Sequence, residues 1–277
     1  MDIKINNQSK LEIFSSIFHN IKCLTENVNI YFSDERMYIQ TLDSSKTSIL
    51  EINIPSFWFD FYSCNIDKCH IGINTNIFDK ILSSRDKSQS IHFEYDNGKD
   101  ILLVNMINIE NEINNINESK NIDQKNKNIY NRYFEIPLVD LNDEMMNIPE
   151  TDYEAEISIP STNLAILIHQ LKVFGDVLNI QCNEDNIQFI SKSIESGSMR
   201  VEIKIEELNE FSIIEDENIN ISFGLQHLNT ICNYCKISKN AELKIRRDYP
   251  IRIEYIFGDS GEGSIRYFLA PKINDDE

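Results

Sequence analysis

Six cysteines, at 23, 64, 69, 182, 232 and 235, are the residues of this sequence best suited to chemistry, because a thiolate is both a nucleophile and a soft metal ligand. Cys232-Asn-Tyr-Cys235 has the two-residue gap of half a zinc site. Cys232, however, falls in a segment of helical periodicity, a four-residue gap separates Cys64 from Cys69, and no second pair supplies the missing ligands. The expectation is no metal, no cofactor, and reduced, mostly buried thiols. Asp and Glu total 45, but abundance on an acidic surface nominates no catalytic pair. The sequence contains no Walker phosphate-binding loop, no GxSxG and no HExxH. No enzymatic centre is expected.

Against those 45 acids stand 26 Lys and Arg, a net charge of −19, so the molecule as a whole should repel nucleic acid and anionic membrane at long range. Hydrophobic residues make up 41% of the 277 positions, enough for one large domain or two smaller ones. No apolar run long enough to span a bilayer exists and the first ten residues are polar, so an intracellular soluble protein without a membrane partner is expected. Gly and Pro are few, eight and six, which leaves Asn, Asp and Ser to build the turns.

The elements that must position any site announce themselves by period. Residues 201–205 and 251–255 alternate as half-buried strands do, while 11–24 and 161–173 recur at helical spacing. Comparing the chain with itself yields a repeat at an offset of 150: Phe14, Ile17, Phe18 and Ile21 match Leu164, Leu167, Ile168 and Leu171. VNIYFSDERMYIQ at 28–40 matches LNIQCNEDNIQFI at 178–190, each reading strand, acidic turn, strand. Ile71, Ile73, Phe78 and Ile81 match Ile221, Phe223, Leu228 and Ile231, and the hairpin at 90–105 falls opposite 240–255. RYFEIP at 132–137 resembles RYFLAP at 266–271, but at a spacing of 134, so the first half carries extra residues. These lie in the Asn-rich stretch 107–131, expected to be a solvated insertion. The expected division is 1–139, a connector at 140–152, and 153–277.

The helical segments are less acidic than the rest of the chain and hold Lys10, Lys22, Lys80, Arg85, Lys87, Lys172, Lys236 and Lys239. Sharing one surface, they would attract phosphates without reading sequence; on separate surfaces they would be ordinary solvated helix faces.

Five ordered segments carry a family resemblance. YIQTLDSSKTSIL at 38–50, FYSCNIDKCHIGINTNIFDKIL at 61–82, MMNIPETDY at 145–153, FGDVLNI at 174–180 and GSIRYFLAPKI at 263–273 resemble segments of proliferating cell nuclear antigen (PCNA), the DNA sliding-clamp family. The resemblance implies an α+β DNA-clamp fold: two similar domains per chain, each with two helices on antiparallel sheets, closing head to tail into a homotrimeric ring around double-stranded DNA. It also implies a DNA polymerase, other clamp-binding-peptide proteins and a clamp loader as partners. The location implied is the nucleus or the replication compartment of a large DNA virus. A subunit of a checkpoint-type heterotrimeric clamp is the alternative.

By position, the resemblance implies a peptide pocket of Leu42, Lys46, Thr47, Met146, Ile148, Pro149, Pro250, Phe268, Leu269, Ala270, Pro271, Lys272 and Ile273. Such residues suit a short peptide with aromatic and aliphatic anchors; a locally packed core under a loop would use the same residue types. The resemblance also implies subunit contacts between 132–139 and 197–205 of a neighbour. Departures are specific. Family channel-facing basic positions read Ile166, His169, Gln226 and Asn233, with His169 either facing the channel or an ordinary surface histidine. Glu184 stands where the family has a modifiable lysine, Phe268 replaces a tyrosine, and Ser63 and Asn65 replace charged residues.

Overall fold

Segments of period two become strands and segments of helical period become helices in the computed structural model, which describes residues 1–64, 69–109, 129–142, 145–258 and 260–272. Most of the Asn-rich insertion, together with Asn65 and Ile273, lies outside the described residues. The first half contains β1 (Asp2–Ile5), α1 (Gln8–Ile21), β2 (Asn27–Phe32), β3 (Arg36–Leu42), β4 (Ser48–Pro55), β5 (Phe61–Ser63), β6 (Cys69–Asn74), α2 (Thr75–Ser83), β7 (Gln89–Glu94), β8 (Ile101–Asn108) and β9 (Arg132–Pro137). The second contains β10 (Ala155–Pro160), α3 (Ser161–Leu171), β11 (Val177–Cys182), β12 (Ile187–Ser193), β13 (Gly197–Ile203), β14 (Glu210–Ile213), β15 (Ile219–Gly224), α4 (Leu225–Ile231), β16 (Asn240–Ile245), β17 (Ile251–Phe257) and β18 (Gly263–Leu269).

Strand order confirms the duplication independently of residue identity. The first half runs β5-β1-β7-β8-β9 and β4-β3-β2-β6; the second runs β14-β10-β16-β17-β18 and β13-β12-β11-β15. Adding nine to each strand number of the first set gives the second. Neighbouring strands pair antiparallel, as in β7 with β8 and β16 with β17.

One sequence match needs correction. In the first unit Phe134 pairs with Val104, whereas in the second Tyr267 pairs with Ile253, and both partners are buried. Structurally equivalent residues are therefore Phe134 and Tyr267, one position out from the RYFEIP–RYFLAP match. A one-residue slip reverses faces, and Tyr133 accordingly points outward, 69% exposed, while Tyr267 is fully buried.

Helix starts are local chemistry. The Asn7 side chain accepts the N–H groups of Ser9 and Lys10 at the start of α1, and Asn74 accepts that of Ile77 at the start of α2. Pro160 and Gly224 stand at the equivalent positions before α3 and α4 and offer no such acceptor. Each helix buries its apolar stripe against the sheets of its own half. Phe14, Phe18, Phe78 and Phe93 form an aromatic cluster in the first, with ring centroids 4.6–5.9 Å apart along the chain of contacts. At the repeat-equivalent buried positions the second half has Leu164, Ile168, Leu228 and Leu243, so one backbone plan accommodates two different fillings.

By contact, the chain divides into a unit of Met1–Ile39 with Asn53–Asp143 and a unit of Gln40–Ile52 with Glu144–Glu277. The end of the β3–β4 hairpin thus packs with the second unit despite its early place in the sequence. Within the first unit, the chain entering the connector crosses β6 closely: Val139 N–H donates to Gly72 O at 2.8 Å. A Cβ on Gly72 would lie 2.1 Å from the Val139 carbonyl oxygen, so only glycine permits this crossing. Among the described residues, no helix is long and apolar enough to cross a membrane.

Candidate functional site

The implied pocket residues that the structure describes lie in the second unit. Its first wall is the tip of the β3–β4 hairpin, organised by one carboxylate. Asp43 Oδ1 accepts the N–H groups of Thr47 (2.9 Å) and Ser48 (2.8 Å), and Oδ2 accepts the Ser45 N–H (3.3 Å) and the Ser45 hydroxyl. Burial opposes ionisation of Asp43, but the hydrogen bonds from Ser45, Ser48 and Thr47 outweigh it and hold its pKa below the ordinary value. The turn this creates places Lys46 in the left-handed region, at φ 57°, with its side chain exposed.

The tail is fastened to this tip. Ala270 N–H donates to Thr47 O at 3.0 Å, Lys272 N–H to Ser222 O at 2.8 Å, and the buried Tyr267 hydroxyl to Ser48 Oγ at 2.8 Å. The connector is held by a side chain that imitates a strand partner: Gln40 donates to Met146 O at 2.9 Å and accepts the Met146 N–H at 2.7 Å. Met146 is thereby held beside Gln40, two positions along β3 from Leu42, and is 36% exposed, with half-buried Ile148 and exposed Pro149 following. Ile251 pairs with Leu269 and Arg252 with Phe268, which brings Pro250 to the Ala270 end of β18.

The expected residues do not contribute equally. Leu269 shares its face with Ile251, 1% and 0% exposed in the core, so it offers the pocket only its backbone. Phe268 occupies the opposite face beside a charge cluster. Glu254 there is 6% exposed and accepts Arg266 Nε at 2.8 Å and an Arg252 guanidinium N–H. Burial again opposes ionisation, and the Arg266 hydrogen bond with the charges of both arginines prevails, keeping Glu254 below the usual carboxylate range. Gln40, Asp43, Glu254 and Tyr267 were not singled out from sequence. Period two does put Gln40 on the same face as Leu42, and Asp43 heads an Asp-Ser-Ser turn signal.

The candidate DNA contacts separate into engaged and exposed groups. Lys10 pairs with Asp60 at 2.9 Å; Lys22 contacts Asp79, as does His19 Nδ1 at 3.1 Å, bridging α1 to α2. Arg85 lies beyond α2, half-buried, and donates to Gln8 Oε1 (2.7 Å) and to the Asp86 and Gln89 carbonyls (3.1 Å each). Lys80, Lys87, His169, Lys236 and Lys239 are exposed and Lys172 is half-exposed. Between them, α3 and α4 expose Ile166, Gln170 and Gln226.

Cys64, Cys69, Cys182 and Cys232 are buried thiols, and burial pushes Cys182 up to about 11 and Cys232 to about 12, which keeps both protonated at neutral pH. Cys232 lies in the turn of 3₁₀ helix after α4. Among the described residues no three His, Cys, Asp or Glu gather as metal ligands do.

Two family models match in order along the chain: the N-terminal domain of proliferating cell nuclear antigen over residues 1–129 and its C-terminal domain over 147–272. A proliferating cell nuclear antigen of Chaetomium thermophilum is 25% identical over 269 residues, 96% of each chain. With two consecutive domain matches laid over a duplicated strand order, this chain belongs to the proliferating cell nuclear antigen family, whose members are non-enzymatic DNA sliding clamps.

Proposed function

We propose that this chain is one subunit of a closed homotrimeric ring that slides on double-stranded DNA, keeps a DNA polymerase on its template, and docks partner peptides at the pocket of the second unit. The observation that carries the ring is the set of strand edges. Within the second unit β18 has β4 as a neighbour; by the repeat, β9 corresponds to β18 and β13 to β4, and β9 and β13 each end their strand order. Head-to-tail pairing of β9 with β13 of another copy repeats a junction the chain already makes once and covers both edges. The domain reading 1–139, 140–152 and 153–277 fits this plan, with 140–152 as connector.

A ring holds DNA by enclosure, so the exposed Lys80, Lys87, Lys236 and Lys239 need supply only weak phosphate contacts, and a clamp loader must open it. The sparse charge on α3 and α4 favours the second reading, a subunit of a heteromeric checkpoint-type ring. Native mass separates the two: the homotrimer reading expects three times 32.3 kDa from the purified chain alone. Function is tested by polymerase retention on primed circular DNA, with the effect lost when the circle is cut. Equal retention on linear DNA would refute enclosure. The nucleus, or a viral replication compartment, is the corresponding location.

A further inference from the structure

The imidazole of His227, a residue outside the implied pocket set, is where the polar side chains of the hairpin tip converge. Its Nε2 lies 3.3 Å from Asp43 Oδ2, 3.3 Å from Ser45 Oγ and 3.2 Å from Thr47 Oγ1. His227 is the third residue of α4, so this cluster joins a helix to a loop 180 or more positions away in sequence. The ring is confined on its other side: Nδ1 lies 3.0 Å from the place a Cβ on Gly224 would occupy, and Lys272 Cε lies 3.9 Å from the same point.

We propose that His227 is a positioning residue for peptide docking: from α4 it holds Asp43, and through Asp43 the Thr47 carbonyl that anchors the tail at Ala270. The proposal rests on the pocket reading given above. The physical steps are short. Asp43 is kept ionised by its hydrogen bonds, so its Oδ2 can only accept, and Nε2 must carry the proton that reaches it. The ring meets that demand in the tautomer that carries its proton on Nε2.

The contact is partly shielded from water, the side chain of Asp43 being 8% exposed and that of His227 30%. A tip held in place before binding spares the peptide the cost of ordering it.

The test uses the full-length chain with His227→Ala, which removes the donor, His227→Gln, which keeps one, and Asp43→Asn. Amide-exchange protection across residues 45–48 and affinity for a synthetic peptide with aromatic and aliphatic anchors are measured. Both should fall about two- to fivefold in His227→Ala and recover in His227→Gln, and Asp43→Asn should lose protection. Unchanged protection in His227→Ala overturns the latch, and lost protection with unchanged affinity overturns its role in docking. Intact protection in the unaltered chain with no peptide binding overturns the pocket reading.

Discussion

Glu254 supports the wall that carries Phe268, and replacing it with Gln isolates the contribution of its charge. The carboxylate is 6% exposed and joins two guanidiniums whose side chains are 21% exposed in Arg252 and 45% in Arg266. Removing one member of a fully buried pair costs about 3–5 kcal/mol. Water can replace part of what Arg266 loses, so we expect about 2 kcal/mol for Glu254→Gln and about 3 kcal/mol for Glu254→Ala.

The pH dependence has a definite sign. The folded pKa of Glu254 is depressed, so its stabilisation is present above the unfolded value, about 4.3, and is lost as pH falls through the lower folded value. The unaltered chain should therefore lose more stability than Glu254→Gln between about pH 5 and about pH 3. Urea unfolding should be followed by amide exchange in β17 and β18, because the single tryptophan, Trp58, lies in the first unit and reports on the wrong half. Peptide affinity should fall with stability, since Arg252 is the cross-strand partner of Phe268. A Glu254→Gln variant within about 0.5 kcal/mol of the unaltered chain, or one with the same acid slope, would refute the reasoning.

Other substitutions separate the remaining roles. Gln40→Ala removes both bonds to Met146, so proteolysis of the connector should accelerate and peptide affinity fall about three- to tenfold, read by anisotropy. Tyr267→Phe leaves Ser48 Oγ without its buried donor and should cost about 1–2 kcal/mol by denaturant melt. Replacing Lys80, Lys236 and Lys239 together by Ala should flatten the salt dependence of DNA retention without loss of stability. Arg85→Ala should do the reverse, destabilising the first unit by about 1–2 kcal/mol, because its guanidinium is spent on internal acceptors.

The parts of the fold legible in sequence are those governed by periodicity. Phe14 to Ile21 and Leu164 to Leu171 display a helix face twice, and the offset of 150 holds through β2–β3, β6–α2 and β7 with their counterparts before becoming 149 at β8 and β17. Side-chain function at the site was less legible because it depends on partners remote in sequence. Gln40 acts through Met146, 106 positions away, and Tyr267 through Ser48, 219 positions away. Lys10, Lys22 and Arg85 illustrate the converse: counting charge identifies a cation but cannot tell one facing solvent from one already bound to Asp60, Asp79 or a carbonyl.

The RYF match at 132 and 266 shows most clearly why identity alone misleads. Strand faces alternate with every residue, so the correct alignment is the one that keeps apolar side chains inward, which here pairs Phe134 with Tyr267 and Ile136 with Leu269. Read that way, β9 buries Ile136 and presents Tyr133 and Glu135 to solvent at an edge, while β18 buries both Tyr267 and Leu269 beside β4. The two strands are copies under different demands. One has its neighbour within the chain and donates a tyrosine hydroxyl to it; the other ends its strand order and leaves Tyr133 exposed.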